Sequence, residues 1–304
     1  MESESPKTQF IHTGFASPIT EVALILVSYC NGVYQSLGSA VVVGSGLALT
    51  AAHVVQHHIA EYGLSTVGLA SMAKFSLQAI LFRNDGPTSA HIWDVQTVVF
   101  DQNLTDVALL TLVPRFEEQR EHFWRTTKLQ LLPPTVGTRV SAFGYHSSSC
   151  MSADRRNMEL TTNPYTTSGT IQEIYDLGRD KVMLPFPCFR TDFRADGAMS
   201  GGPVFNEQGN LCGLICAGTA LSEPDASNAQ HSSYVSLLWP LMGLILSIDR
   251  LGQPSGVSYP MLELAQAGLI TAVDWQSIVL GKSKDPDKLT VGLQRPNPLP
   301  GGGT

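Results

Sequence analysis

Ala198-Met199-Ser200-Gly201-Gly202-Pro203, followed by the apolar run Leu211 to Ala217, is the stretch on which the reading of this chain turns. A serine hydroxyl is a weak nucleophile at neutral pH and needs an adjacent base to take its proton. Small residues on either side let the backbone turn tightly enough to aim amide N–H groups at a developing oxyanion. Two other segments supply the missing chemistry. Leu49-Thr50-Ala51-Ala52-His53-Val54 places a histidine directly after a strand-like run, and imidazole titrates near neutrality. Thr105-Asp106-Val107-Ala108-Leu109-Leu110 places an acid at the head of an apolar run that can bury it. A buried carboxylate holds the imidazole in one tautomer and stabilises the imidazolium. Asp94 and Asp101 are rival acids, but neither is followed by such a run.

Around these segments the sequence has the texture of β-structure. Val22 to Val27, Ser39 to Val43, Leu47 to Leu49, Val95 to Phe100 and Val107 to Leu112 read as strands, bounded by Gly, Asn, Asp or Pro. A second series comprises Arg139 to Phe143, Ser168 to Ile174, Val182 to Leu184, Phe189 to Phe193, Pro203 to Phe205, Leu211 to Cys216 and Tyr234 to Leu238. Between them lies the most charged stretch, 114–128, read as a solvated connector with room for a helical turn. Two strand series about one connector predict an all-β protein with two barrels. No alternation of strands and helices supports a dinucleotide-binding fold.

The three segments, in the order His, Asp, Ser, resemble the chymotrypsin-fold, trypsin-like serine peptidases. Within that fold the chain is most similar to bacterial HtrA-like peptidases. Gly38-Ser39-Ala40 resembles their entry strand, Thr191-Asp192 their approach to the nucleophile, and Leu238-Trp239-Pro240 the end of their last strand. The resemblance covers roughly residues 18–250. It implies a chymotrypsin-like double β-barrel and a serine endopeptidase acting on polypeptide. His53 would be general base and acid, Asp106 its orienter and Ser200 the nucleophile. The backbone N–H groups of Ala198 and Ser200 would form the oxyanion hole. The segment Leu214-Ile215-Cys216-Ala217 would wall a substrate pocket for a small apolar side chain, with Arg194 near its base. An inward Arg194 would select an acidic side chain instead.

The sequence departs from the family in two places. Ala198 stands where glycine is usual, which would cost on the order of 1 kcal/mol if that position needs a glycine-like conformation. Met199 stands where the digestive enzymes carry the aspartate that answers a new N-terminus. A catalytically weak or latent module that binds extended peptides along Leu214 to Ala217, or that waits for an activating partner protein, is therefore the alternative.

The expected division is a loose arm over 1–17 and a peptidase domain over 18–250. That domain comprises barrel 1 at 18–113, the connector 114–128, barrel 2 at 129–239 and a closing helix at 240–250. A helical C-terminal extension follows over 251–280, with helices at Tyr259 to Ala267 and Thr271 to Leu280, and a disordered tail over 281–304. The residues after 250 are too few and too helical for the PDZ module that HtrA proteins usually carry.

Composition sets the remaining bounds. The chain has 304 residues, of which 43% are hydrophobic and 15% charged. Typical domains carry about 25% charged residues, so a sizeable core is expected. The net charge of −7 leaves no basic footprint for nucleic acid. No apolar run is long enough for a membrane span. The five cysteines include no CxxC pair, and Cys212 and Cys216 would share a strand too far apart to bridge, so a reducing, cytoplasmic setting is expected. His53 and His57 have HxxxH spacing but lack the glutamate of a zinc peptidase motif. His57 and His58 read as solvated loop residues, and no metal or cofactor is expected.

Overall fold

The computed structural model describes residues 11–15, 17–30, 33–66, 69, 75–83, 89–100, 105–116, 124–152, 158–219, 232–247, 258–282 and 289–294. Barrel 1 is built from β2 (Ala23–Cys30), β3 (Val33–Gly44), β4 (Leu47–Ala51), β5 (Phe75–Arg83), β6 (Ser89–Phe100) and β7 (Val107–Pro114). They close in the order β2-β3-β4-β7-β6-β5, all antiparallel. The first helix, α1 (Ala52–Glu61), leaves the barrel directly after β4. Barrel 2 uses β8 (Arg139–Ser152), β9 (Met158–Tyr175), β10 (Cys188–Thr191), β11 (Pro203–Asn206), β12 (Leu211–Thr219) and β13 (Ser232–Ser236). Its ladder runs β9-β10-β13-β12-β11-β8 and closes through a β8–β9 pairing. The chain is thus an all-β double barrel. Closure removes the sheet edges that would otherwise expose unpaired backbone groups.

Burial explains why several strands read as unbroken apolar runs rather than alternating ones. Leu24 and Leu26, Ala40 and Val42, and Leu77, Ala79 and Leu81 fill the interior of barrel 1. The opposite face of the same strands is buried as well. Ala23, Ile25, Val27, Ile80 and Phe82 pack on Phe143 and Tyr145 of barrel 2. Val41, Val43, Leu47 and Leu49 join a third cluster with Leu129, Leu211 and Leu238. A strand covered on both faces loses its period-two polar pattern.

Of the three expected helices, one is shortened and two are replaced. Trp239–Gly243 is a short 3-10 turn, and the chain then extends as β14 (Ile245–Ser247) instead of continuing as a helix to 250. Leu244 and Leu246 are buried two residues apart, a strand period that a short apolar run cannot distinguish from a helical one. β14 pairs with β15 (Ser258–Pro260), so the next helix is shortened to α2 (Met261–Gln266), and Gly268 ends its last turn at φ +75°. Thr271 to Leu280 is not a helix. Asp274 does not cap it, because its two carboxylate oxygens accept the N–H groups of Leu131 and Leu132 at 2.8 and 2.7 Å. Trp275–Ser277 makes a 3-10 turn into β16 (Ile278–Lys282), which pairs with β17 (Leu289–Leu293). The described part of the expected tail is therefore partly strand.

Other differences are smaller. Ile11–His12 forms β1 on the outer side of β9, within the expected arm. Val182 to Leu184 is not a strand, because Asp180 draws the N–H groups of all three residues on to its own carboxylate, whose pKa falls to about 2. β5 has no counterpart in the expected strand set. Residues 1–10, 117–123, 248–257 and 295–304 lie outside the described residues.

The C-terminal extension is integral to the fold. Met261, Leu262, Leu264 and Ile270 are buried in the cluster that joins the two barrels. Leu129 donates to Thr271 at 2.8 Å and Val273 donates back to Leu129 at 2.9 Å. Because Asp274 satisfies two part-buried amides with charge-assisted bonds, Asp274→Ala should destabilise the full chain by about 2–4 kcal/mol. Urea unfolding beside the exposed-site control Gln276→Ala tests this. An unchanged midpoint would show that the extension is not clamped through Asp274.

Candidate active site

His53 sits in the first turn of α1, immediately beyond β4, and Asp106 immediately precedes β7. β4 and β7 are paired, with Ala51 opposite Val107, so their ends bring the two residues together. Asp106 then holds this corner with three bonds. Its carbonyl accepts the Ala52 N–H at 3.1 Å, Oδ1 accepts the His53 N–H at 3.0 Å, and Oδ2 lies 2.7 Å from His53 Nδ1. The carboxylate side chain is 13% exposed, the imidazole 47%. An ionised carboxylate can only accept, so Nδ1 carries the proton and Nε2 is left as the basic nitrogen. Burial disfavours the imidazolium, but the hydrogen bond and charge of Asp106 together outweigh it. The His53 pKa is consequently raised from the ordinary 6.5.

Thr105, next to Asp106, shares a buried 2.6 Å hydrogen bond with Ser236 on β13. This ties the acid's backbone to barrel 2, a contact that nothing in the local sequence announces.

Ser200 ends the 3-10 turn Gly197–Met199. Its carbonyl accepts the Ser39 N–H from β3 at 2.9 Å. Gly201 follows at φ +78°, a conformation costly for other residues, and a Cβ there would collide with Ser39 O and Thr50 Oγ1. Ser200 and His53 line one cleft of about 270 Å³. The cleft is also lined by Gln35, Ser36 and Leu37 of β3, by Val54, His58 and Glu61 of α1, and by Gly197.

The expected oxyanion hole is arranged differently. The Ser200 N–H donates to Gly197 O at 3.2 Å and so is used inside the turn. The cause is local: a right-handed 3-10 turn through Ala198 closes this bond, and alanine disfavours the left-handed alternative.

The expected pocket residues are also placed elsewhere. Leu214 is buried in the cluster between the barrels and Ile215 inside barrel 2, as alternation along β12 dictates. Cys216 is buried against Leu184, Cys188 and Tyr234, with Sγ donating to Tyr234 O, and Ala217 is half-buried beside them. Arg194 is 48% exposed, with Nε 3.1 Å from Asp196. None of these five lines the cleft shared by His53 and Ser200. The backbone edge at Leu214 and Ile215 is occupied too. Ile215 donates to Gly202 and accepts from Gly201, and Leu214 pairs with Pro203.

His58, expected in a solvated loop, is a buried helical residue stacked edge-on against Tyr62. The cleft residues on α1 were findable, since Val54, His58 and Glu61 are spaced i, i+4, i+7 and share one helical face. Among the described residues no group of His, Cys, Asp or Glu is arranged to hold a metal ion. Cys30, Cys188, Cys212 and Cys216 are thiols.

No curated protein matches the sequence. Among solved structures, the active form of the Rv3671c protease from M. tuberculosis is similar at 14% identity and a TM-score of 0.47, with 84% of this chain and 95% of that chain covered. The MamO protease domain from Magnetospirillum magneticum is similar at 16% identity and a TM-score of 0.42, with 72% and 93% covered. The family profile described as a trypsin-like peptidase domain matches residues 38–214, more than half of the sequence. With that match laid over two closed barrels that bring a His–Asp pair and a serine to one cleft, the chain belongs to the trypsin-like peptidase domain family.

Proposed function

We infer that the protein is a serine endopeptidase that cleaves peptide bonds through an acyl-enzyme on Ser200. The observation that carries this reading is the His53–Asp106 pair, held at 2.7 Å in the cleft that Ser200 lines. In the proposed reaction His53 Nε2 takes the Ser200 Oγ proton as Oγ attacks the substrate carbonyl. The imidazolium then gives the proton to the leaving amine, and water repeats the sequence to release the acyl group. Asp106 supplies the countercharge while the imidazole is protonated. No step calls for a metal or cofactor.

A second reading has one specific observation in its favour. The Ser200 N–H is used by Gly197 O, so the site is short of an oxyanion donor and the peptidase is latent. Opening the hole requires the Gly197–Ala198 peptide to turn over. That rearrangement is what an activating partner or a bound substrate would supply. The enzyme and latent readings share the same nucleophile and differ in how often the hole is open.

Labelling with a fluorophosphonate probe tests the nucleophile. The full chain should react and Ser200→Ala should not; an inert wild-type protein would remove the peptidase reading in its active form. The labelling rate should fall on acidification, because a neutral imidazole is the base. Its inflection should lie above 6.5, the pKa having been raised in the folded protein. Asp106→Asn should move that inflection down as well as slow the reaction, and an inflection unmoved by the substitution would contradict the pairing. Ala198→Gly should raise the labelling rate about fivefold, the equivalent of about 1 kcal/mol of backbone strain relieved at the hole. An unchanged rate would show that residue 198 does not hold the hole closed.

A further inference from the structure

Apolar clusters that mix residues of both barrels hold the two together, with Leu49 beside Leu214 in one and Ile25 beside Phe143 in another. Apolar burial is non-directional, so by itself it draws the barrels together without fixing how one is turned on the other. Hydrogen bonds are directional and do fix it. One such bond runs from the Ser39 N–H on barrel 1 to the Ser200 carbonyl, at 2.9 Å. Another joins Thr105, the residue before Asp106, to Ser236 on β13 at 2.6 Å, with both side chains buried. We propose that Thr105 and Ser236 are positioning residues for the reaction, and that their hydrogen bond sets where the His53–Asp106 dyad stands relative to Ser200. The inference rests on the peptidase reading for the roles of those three residues.

The dyad itself does not need this bond. Ala51 pairs with Val107, and Asp106 accepts the N–H groups of Ala52 and His53, all within barrel 1. Barrel 1 cannot supply the distance to Ser200 in the same way, because the nucleophile's turn belongs to barrel 2. Ser236 is tied to that turn. It pairs with Leu214 on β12, and the next residue, Ile215, accepts the Gly201 N–H at 2.8 Å and donates to Gly202 O at 3.0 Å. A route of covalent bonds, hydrogen bonds and strand pairing therefore leads from the Asp106 backbone through Thr105, Ser236 and β12 to Gly201, next to Ser200. Threonine suits the near end of this route. It is β-branched and stiff about χ1, so the direction of its hydroxyl follows the backbone of residue 105. Alignment between base and nucleophile matters for rate, since a misplacement of about 1 Å can cost about 10²-fold.

Thr105→Val, Ser236→Ala and the double variant, each in the full chain, test the assignment. Either single substitution orphans a buried hydroxyl, whereas the double leaves no hydroxyl behind. In urea unfolding the double should therefore lose less stability than the two singles added together. Fluorophosphonate labelling should behave differently. Its rate should fall about tenfold in all three variants, the double being as slow as the singles, because each has lost the same alignment. The pH inflection of labelling should stay at its wild-type position, since the dyad remains intact. Thr105→Ser, which keeps the hydroxyl, should label about as fast as the wild type. A rate that recovers with stability in the double variant would reduce the pair to a structural role. An unchanged rate, or an inflection displaced as by Asp106→Asn, would overturn the assignment too. A wild-type serine inert to the probe would instead fail the peptidase reading, and the coupling is then read from the His53 imidazole proton resonances. Ser236→Ala, a substitution on the opposite barrel, should displace them; resonances left unmoved would overturn the tie itself.

Discussion

The active cleft depends on a joint between the barrels at Ser39. Its N–H donates to the Ser200 carbonyl at 2.9 Å, its carbonyl accepts Thr50 Oγ1 at 2.7 Å, and its hydroxyl accepts the Tyr145 N–H at 3.3 Å. One residue of β3 therefore ties the backbone of Ser200 to the strand preceding His53 and to the first strand of barrel 2. The Tyr145 hydroxyl extends the seam by donating to Ala23 O at 3.2 Å. Complete burial keeps that phenol a donor by pushing its pKa far above the ordinary value. Polar bonds in such a dry seam are costly to break, because each orphaned group would lose its partner without gaining water. The joint also explains the local composition. Neither Gly38 nor Gly201 has room for a side chain, since a Cβ on either would press on backbone of the other strand.

The two halves of the site are in different states of readiness. The basic half is assembled: Asp106 fixes both the backbone and the ring of His53, and Thr105 anchors it to the far barrel. The half around Ser200 is not open in the same way, because the Ser200 amide is held within its own turn. Oxyanion donors contribute to catalysis in proportion to their preorganisation. The Ser200 amide used in this way belongs to one short turn, Gly197–Met199. That loop packs on β8 through Met199, whose side chain is buried in barrel 2 beneath Gly144.

The C-terminal extension gives this seam a third wall. Its apolar residues enter the same cluster as strands from both barrels, and its backbone pairs with Leu129 just after the connector. Gly44 at the end of β3 forms a bridge with Ile270, so the extension also reaches barrel 1. A chain segment that touches both barrels stiffens their relative placement, on which the Ser200–His53 cleft depends.

Much of this was legible in the sequence. The all-β class, the two strand series and the segments around His53, Asp106 and Ser200 follow from local composition, because turn residues, β-branched runs and a small-residue loop each have a local physical cause. The residues that line the cleft did not follow in the same way. Leu214 and Ile215 look like a pocket wall until the packing of β12 turns them into two separate cores, and Gln35, Ser36 and Leu37 look like ordinary strand residues until β3 is laid beside α1. The extension shows the limit most clearly. Its short apolar runs suit a helix or a strand equally, and the choice was made by partners distant in sequence: β14 found β15, and Asp274 found the amides of Leu131 and Leu132. The sequence by itself determined the all-β class and the family, because both follow from local strand patterns and short motifs. The tertiary structure decided which backbone donors are already engaged and which side chains line the cleft, because those depend on contacts between residues that no local pattern links.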